Sequence, residues 1–277
     1  MLDFNIHLPC KFDLKTEGRI LDDRGMSVDD LRRCHAKHHD VLKRELTGGN
    51  FMLFNEEIPY DTSPIGDWIQ EVRTAWGVAA FTQLFDFRRK GIEAALERLA
   101  TVGINGVKFH SYVQKISERD FQDVLTAAQM AAERGFFICI DASYGTTWMY
   151  EYDNLKLAAQ IIRRIKTVPI IILHSGGSRY WDARLLADDG ANVFLETSFT
   201  LPYYYGSSVE DDLAFIYRKI GIDRVLYASD FPYIPLGEAI GCMEKFLEKY
   251  KFSTGEREAI CGGNARRLLS KLNVPGA

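Results

Sequence analysis

Eight short apolar runs, separated by stretches of helical periodicity, constrain this chain more than any single motif does. The runs cover 2–8, 50–58, 77–85, 104–110, 136–141, 169–177, 192–199 and 224–230. Between them, Ser27 caps a helix expected to run to about residue 47, with Asp29 and Asp30 in the first turn, where the helix dipole favours acids. Ile92, Leu96 and Leu99 share one face of 91–102, and 120–134 ends at a well-placed Gly135. Further helices are expected over 154–166, 210–220, 237–250 and 255–272. Several runs are almost wholly apolar, the pattern of parallel strands covered on both faces. Eight such units predict a (β/α)8 TIM barrel occupying 1–277 as a single domain. A doubly wound open sheet is the structural rival, but no Gly-rich phosphate turn follows the first strand.

With 277 residues and 47% hydrophobic content the chain can bury a large core. A net charge of −4 gives no electrostatic case for nucleic acid or an anionic membrane surface. No apolar run reaches the length of a membrane span, and the start lacks a basic-then-apolar signal pattern. The five cysteines (Cys10, Cys34, Cys139, Cys242 and Cys261) are scattered without a C-x-x-C pair, which fits a reducing, cytoplasmic setting. His35, His38 and His39 share a stretch with Arg32, Arg33, Lys37 and Lys43, and read as a solvated or partly packed helical face.

The chemistry gathers at the ends of the runs. In the first, Asp3, Asn5 and His7 alternate with Leu2, Phe4, Ile6 and Leu8, so the three polar groups fall on one face. Later runs end near Lys108 and His110, at Asp141, at His174 and at Asp230. In a parallel barrel all of these ends lie at one mouth. Histidines and two carboxylates there suit a divalent metal such as zinc. Arg179, Tyr180 and Trp181 follow the sixth run, and Tyr203, Tyr204 and Tyr205 follow the seventh. In mouth loops they suit a planar or carboxylate-bearing substrate, and equally subunit contacts such as those of a homodimer.

From about residue 91 onward the chain resembles the amidohydrolase superfamily, in the branch that holds aromatic-acid decarboxylases, lactonases and related hydrolases. Gly106-Val107-Lys108-Phe109-His110 is similar to its fourth-strand motif, and Leu173-His174-Ser175-Gly176-Gly177 to its sixth-strand His-x-Gly-Gly. Ala228-Ser229-Asp230-Phe231-Pro232 is similar to the eighth-strand Gly-Ser-Asp-x-Pro, with Ala228 for glycine. Gly263-Asn264-Ala265-Arg266-Arg267-Leu268-Leu269 is similar to the closing Asn-Ala-x-x-Leu. The resemblance implies a metal-dependent hydrolase acting on an amide, lactone or ester of a small cyclic or carboxylate-bearing substrate. Asp230 would be the base and His174 the group that stabilises developing negative charge. One zinc or manganese ion would be held by His7, Asp141, Asp230 and His174, and Lys108, His110, Arg179, Tyr180 and Trp181 would bind substrate.

Two positions depart from the pattern. The family's first strand reads Asp-x-His-x-His, whereas Asn5 stands at the first histidine; Asp141 stands where the fifth strand carries another. Asp141 reads either as a substitute ligand or as a hydrogen-bond partner of Asn5 with no metal. Lys108 reads as a charge partner of Asp230 or of a substrate anion. The alternatives are therefore decarboxylation of an aromatic or unsaturated acid, metal-independent lactone hydrolysis, and a barrel kept for binding after its chemistry was lost.

Overall fold

The computed structural model describes residues 1–7, 27–53 and 63–277. Residue 8 of the first expected run, the irregular stretch 9–26 and residues 54–58 of the second run lie outside the described residues, as does Cys10.

Eight parallel strands hydrogen-bond in chain order: β1 (Leu2–His7), β2 (Gly48–Leu53), β3 (Val78–Leu84), β4 (Gly106–Phe109), β5 (Phe137–Ile140), β6 (Ile170–Ile172), β7 (Val193–Glu196) and β8 (Val225–Leu226). The sheet closes on itself between β8 and β1. Phe4 N–H donates to Tyr227 O (3.0 Å), Asp230 N–H to Asn5 O (3.0 Å) and His7 N–H to Phe231 O (2.7 Å). With helices between the strands, this is a (β/α)8 barrel.

The outer layer contains α1 (Val28–Glu45), α2 (Ser63–Trp76), α3 (Ile92–Val102), α4 (Phe121–Glu133), α5 (Asn154–Arg164), α6 (Tyr180–Asp189), α7 (Val209–Ile220), α8 (Leu236–Lys249) and α9 (Asn264–Lys271), with short turns between some of them. Ser27 starts α1 through a capping box: its Oγ accepts from Asp30 N–H (3.2 Å), and the Asp30 carboxylate accepts from Ser27 N–H (3.0 Å). Gly135, at φ +80°, follows α4 in the left-handed region that ends helices cheaply. The single helix expected over 255–272 is broken at 259–263, where Ile260 O turns to accept Tyr227 N–H (3.0 Å). Helices α2 and α6 had no counterpart in the sequence reading.

Two apolar layers result. Between strands and helices, residues such as Ile6, Phe51, Phe81, Leu96, Val124 and Ile161 are sealed from solvent. A second cluster (Leu2, Phe4, Met52, Ala80, Phe137 and Ile171) is closed by Ala265, Leu268 and Leu269 of α9. Each fully buried Leu, Ile or Phe stabilises the fold by roughly 1.5–3 kcal/mol. Gly106 has no room for a Cβ, which would lie 2.3 Å from the Phe137 ring.

The strict alternation expected in β1 does not hold. Its register against β2 shifts between Asp3 and Ile6, and Phe4 and Ile6 belong to different apolar layers. An irregularity of this kind re-aims the following side chains. Asp3 Oδ1 accepts from Asn5 N–H and Ser229 N–H, both at 3.0 Å, and so ties β1 to the loop after β8. Burial raises the Asp3 carboxyl to about 7 against the opposing hydrogen bonds.

Candidate active site

At the C-terminal ends of the strands a cavity of about 270 Å³ is lined by His7, Lys108, His110, Asp141, His174 and Asp230, with Tyr112, Phe199 and Tyr233 among its walls. These residues come from the ends of β1, β4, β5, β6 and β8, which the parallel barrel brings to one mouth.

Asp141 is the hub of one half. Its Oδ2 lies 3.1 Å from His174 Nε2, 3.3 Å from His110 Nε2 and 3.5 Å from Lys108 Nζ. Its Oδ1 accepts from Ser143 N–H (3.3 Å) and Ser143 Oγ (3.1 Å). Burial alone would raise the carboxyl, but the charges and hydrogen bond around it hold it well below the usual carboxylate range. His110 is pushed down to about 3, chiefly by burial, and stays neutral.

The other half is Asp230 with His7, whose Nε2 lies 3.1 Å from Asp230 Oδ1. Burial and the Lys108 charge lower His7, so at neutral pH the imidazole is uncharged and donates to the carboxylate. Burial acts to raise Asp230, yet the His7 hydrogen bond and the charges of His174, His7 and Lys108 leave it below its ordinary value. Asp230 is thus an ionised, weak base.

His174 joins the halves. Its backbone is left-handed at φ 61° and ψ 22°, an uncommon state for a side-chain-bearing residue and one that costs energy. Glu196, at the end of β7 and fully buried, accepts from His174 N–H at Oε1 (2.6 Å), from Ser198 Oγ at Oε1 (2.7 Å) and from Ser198 N–H at Oε2 (2.7 Å). Asn5 Nδ2 lies 3.4 Å from Glu196 Oε1, 3.3 Å from Ser198 Oγ and 3.4 Å from Asp230 Oδ1. His174 Nδ1 lies 2.9 Å from Ser198 Oγ. Burial pulls His174 down, but Asp141, Glu196 and Asp230 outweigh it and raise the ring to about 9.

The sequence reading passed over Glu196 and Ser198, although Glu196 ends its strand as the other site residues do. Asn5 and Asp141 do not meet: Asn5 reaches Asp230 instead, while Lys108 lies 3.5 Å from Asp141 and its charge also acts on Asp230. Arg179, Tyr180 and Trp181 are not among the cavity walls. The backbone leaves the mouth through Gly176 and Gly177, both at positive φ, and a Cβ on Gly177 would fall 1.8 Å from Ser143 O. Arg179 then pairs with Asp153 (2.6 Å) and Asp182 (2.7 Å), Tyr180 Oη donates to Asp212 (2.9 Å), and Trp181 packs half-exposed on Phe215 of α7. Tyr180 and Trp181 start α6, which corrects the loop expected there. Of the three tyrosines after β7, Tyr203 stacks on the cavity residue Phe199 (5.0 Å between ring centres), while Tyr205 is exposed.

A divalent metal does not fit these side chains as they are arranged. The Asp141 oxygens are occupied by five donor contacts, both ring nitrogens of His174 are engaged by Asp141 and Ser198, and the Lys108 ammonium stands in the same group. That leaves the neutral His110, itself against Asp141, and the pair of His7 and Asp230, bonded to each other. Among the described residues no group of three His, Cys, Asp or Glu is placed to hold a metal ion. No helix among the described residues is long and apolar enough to cross a membrane.

Solved structures share this architecture at low identity. An uncharacterized TIM-barrel protein from Bordetella bronchiseptica aligns with a TM-score of 0.71 at 14% identity, over 99% of both chains. A probable 2-pyrone-4,6-dicarboxylic acid hydrolase from Acinetobacter baumannii, with citric acid bound, aligns at 0.62 and 15%, over 97% of this chain and 98% of that one. A dihydroxybenzoic acid decarboxylase from a Polaromonas species, with bound manganese and an inhibitor, aligns at 0.62 and 14%, over 98% and 97%. A search of curated proteins finds no match. The amidohydrolase family profile matches residues 60–271, a span that holds the Lys108, Asp141, His174 and Asp230 positions of the cavity, and the chain belongs to that family.

Proposed function

We propose that this protein hydrolyses a small lactone or similarly activated ester, with its own side chains in the role that the family resemblance assigned to a metal. The observation that carries the reading is the division of one cavity into a base and a fixed cation. Asp230, held by His7, faces His174 and Lys108, which share Asp141.

In the forward step Asp230 takes a proton from water as the water oxygen bonds to the acyl carbon. The carbonyl oxygen gains negative charge beside the Lys108 ammonium and beside the positive His174 ring, whose Nε2–H stays on Asp141, so the oxyanion is stabilised by fixed positive charge. Collapse breaks the ring C–O bond, and the departing alkoxide takes the proton from Asp230 to give a hydroxy acid. A carboxylate held below its ordinary pKa is a poor base, so the reading favours a reactive acyl carbonyl over an amide. The likeness to a probable pyrone dicarboxylic acid hydrolase supports the same choice.

The test is a panel of lactones assayed with and without a chelator. Turnover is expected to survive the chelator, and Asp230→Asn, which keeps the shape and removes the base, to lose roughly two orders of magnitude or more. Turnover that vanishes with the chelator and returns with metal overturns the metal-free part of the reading. Release of carbon dioxide from an aromatic acid, with no lactone opened, replaces hydrolysis by a lyase reaction.

A further inference from the structure

Glu196 is not among the cavity walls but is sealed from solvent at the end of β7, its Oε1 3.5 Å from Nδ1 of the cavity residue His174. A buried carboxylate costs the fold dearly unless donors satisfy it. Here the donors are the backbone N–H and side chains of the residues that surround His174, and their bookkeeping determines the ring. Ser198 has one hydroxyl proton, and at 2.7 Å from Glu196 Oε1 that proton goes to the carboxylate. The remaining Ser198 Oγ lone pairs can only accept, so His174 Nδ1, 2.9 Å away, must be the donor. With Nδ1 directed inward, Nε2 is directed at Asp141 and the cavity.

The same carboxylate also holds the main chain. Glu196 Oε1 takes the His174 N–H at 2.6 Å, while Thr200 Oγ1 donates to His174 O, so both backbone groups of the left-handed residue are tied to β7 and the turn after it. Asn5 Nδ2 extends the frame from Glu196 and Ser198 to Asp230 Oδ1.

We propose that Glu196, acting through Ser198, is the positioning residue of this site: it fixes the rotamer and inner hydrogen bond of His174 and, through Asn5, ties His174 to Asp230. The inference rests on the reading of His174 as the oxyanion group, but its geometric part is tested without substrate.

In protein labelled with ¹⁵N-histidine, the His174 signals are identified by their loss in His174→Gln. Wild type is expected to show an Nδ1 proton protected from solvent exchange. Ser198→Ala removes the relay with little change in volume, and Glu196→Gln replaces an acceptor oxygen by a donor amide that faces Ser198 N–H. Each should speed exchange of the Nδ1 proton by roughly tenfold or more, the scale of one lost hydrogen bond, whereas Ser198→Thr should restore protection. On a lactone that wild type turns over, kcat of Ser198→Ala should fall by about tenfold with KM nearly unchanged, because the lost interaction serves the transition state. If Glu196→Gln does not fold, Ser198→Ala decides alone. A folded Ser198→Ala with a wild-type Nδ1 signal overturns the proposal. An absence of lactone turnover in wild type sinks the functional reading and leaves the exchange measurement to decide the positioning role.

Discussion

His174 Nε2 lies 3.1 Å from Asp141 Oδ2, with both side chains sealed from solvent, at a position where the sequence resemblance leads one to expect a histidine instead of Asp141. A histidine at 141 would present a neutral nitrogen to a cation. An aspartate presents a charge that must itself be neutralised, and Lys108 and His174 do so. In the reading proposed above, the positive charge at this mouth is carried by the chain itself.

Removing the hub should therefore be costly. Asp141→Ala leaves Lys108 and His174 close together, buried and without their carboxylate. Breaking a buried ion pair in this way destabilises by about 3–5 kcal/mol. Urea unfolding of the variant should show a loss on that scale, and a loss below about 1 kcal/mol would mean that the cluster relaxes or hydrates freely.

The pH dependence follows from His174. Its folded-state value of about 9 lies above the ordinary 6.5, so the stability it contributes is fully present below about 6.5 and is lost as pH rises through about 9. If the charged ring stabilises the oxyanion, turnover should fall along the same alkaline limb. Asp230, below its ordinary 3.8, stays ionised throughout and sets no limb near neutrality. A kcat profile flat to pH 10 would remove the His174 charge from the mechanism.

Most of the barrel was legible in the sequence because burial on both faces writes parallel strands as apolar runs, and because helix starts such as Ser27 carry their caps locally. The strand-end rule also placed Lys108, Asp141, His174 and Asp230 around one cavity. It failed for Arg179, Tyr180 and Trp181, since position after a strand does not say where the chain turns, and the turn here is set by the close approach of Gly177 to Ser143. The β1 alternation misled for a related reason: a shift of pairing register is a tertiary event with no local signature. Glu196 was hidden because its partners, Asn5 and the His174 backbone, are 191 and 22 residues away and become visible only in the closed barrel.

The substituted ligand positions give the last expectation. Asn5 offers an amide and Asp141 a carboxylate saturated with donors, whereas zinc favours neutral imidazole nitrogens. Asn5→His places an imidazole on β1 two residues before His7, and Asp141→His removes the anion that keeps His174 charged. The double variant would then carry His7, the two new histidines and Asp230 at one mouth, a donor set of three nitrogens and one carboxylate oxygen suited to a tetrahedral ion. Calorimetric titration with zinc and with manganese should show zinc binding at least tenfold tighter in the double variant than in wild type, with a smaller gain for manganese, which prefers oxygen. Zinc held by wild type as tightly as by the double variant would mean that Asn5 and Asp141 do not weaken the metal site, and that the donor bookkeeping around Asp141 rearranges when a metal arrives.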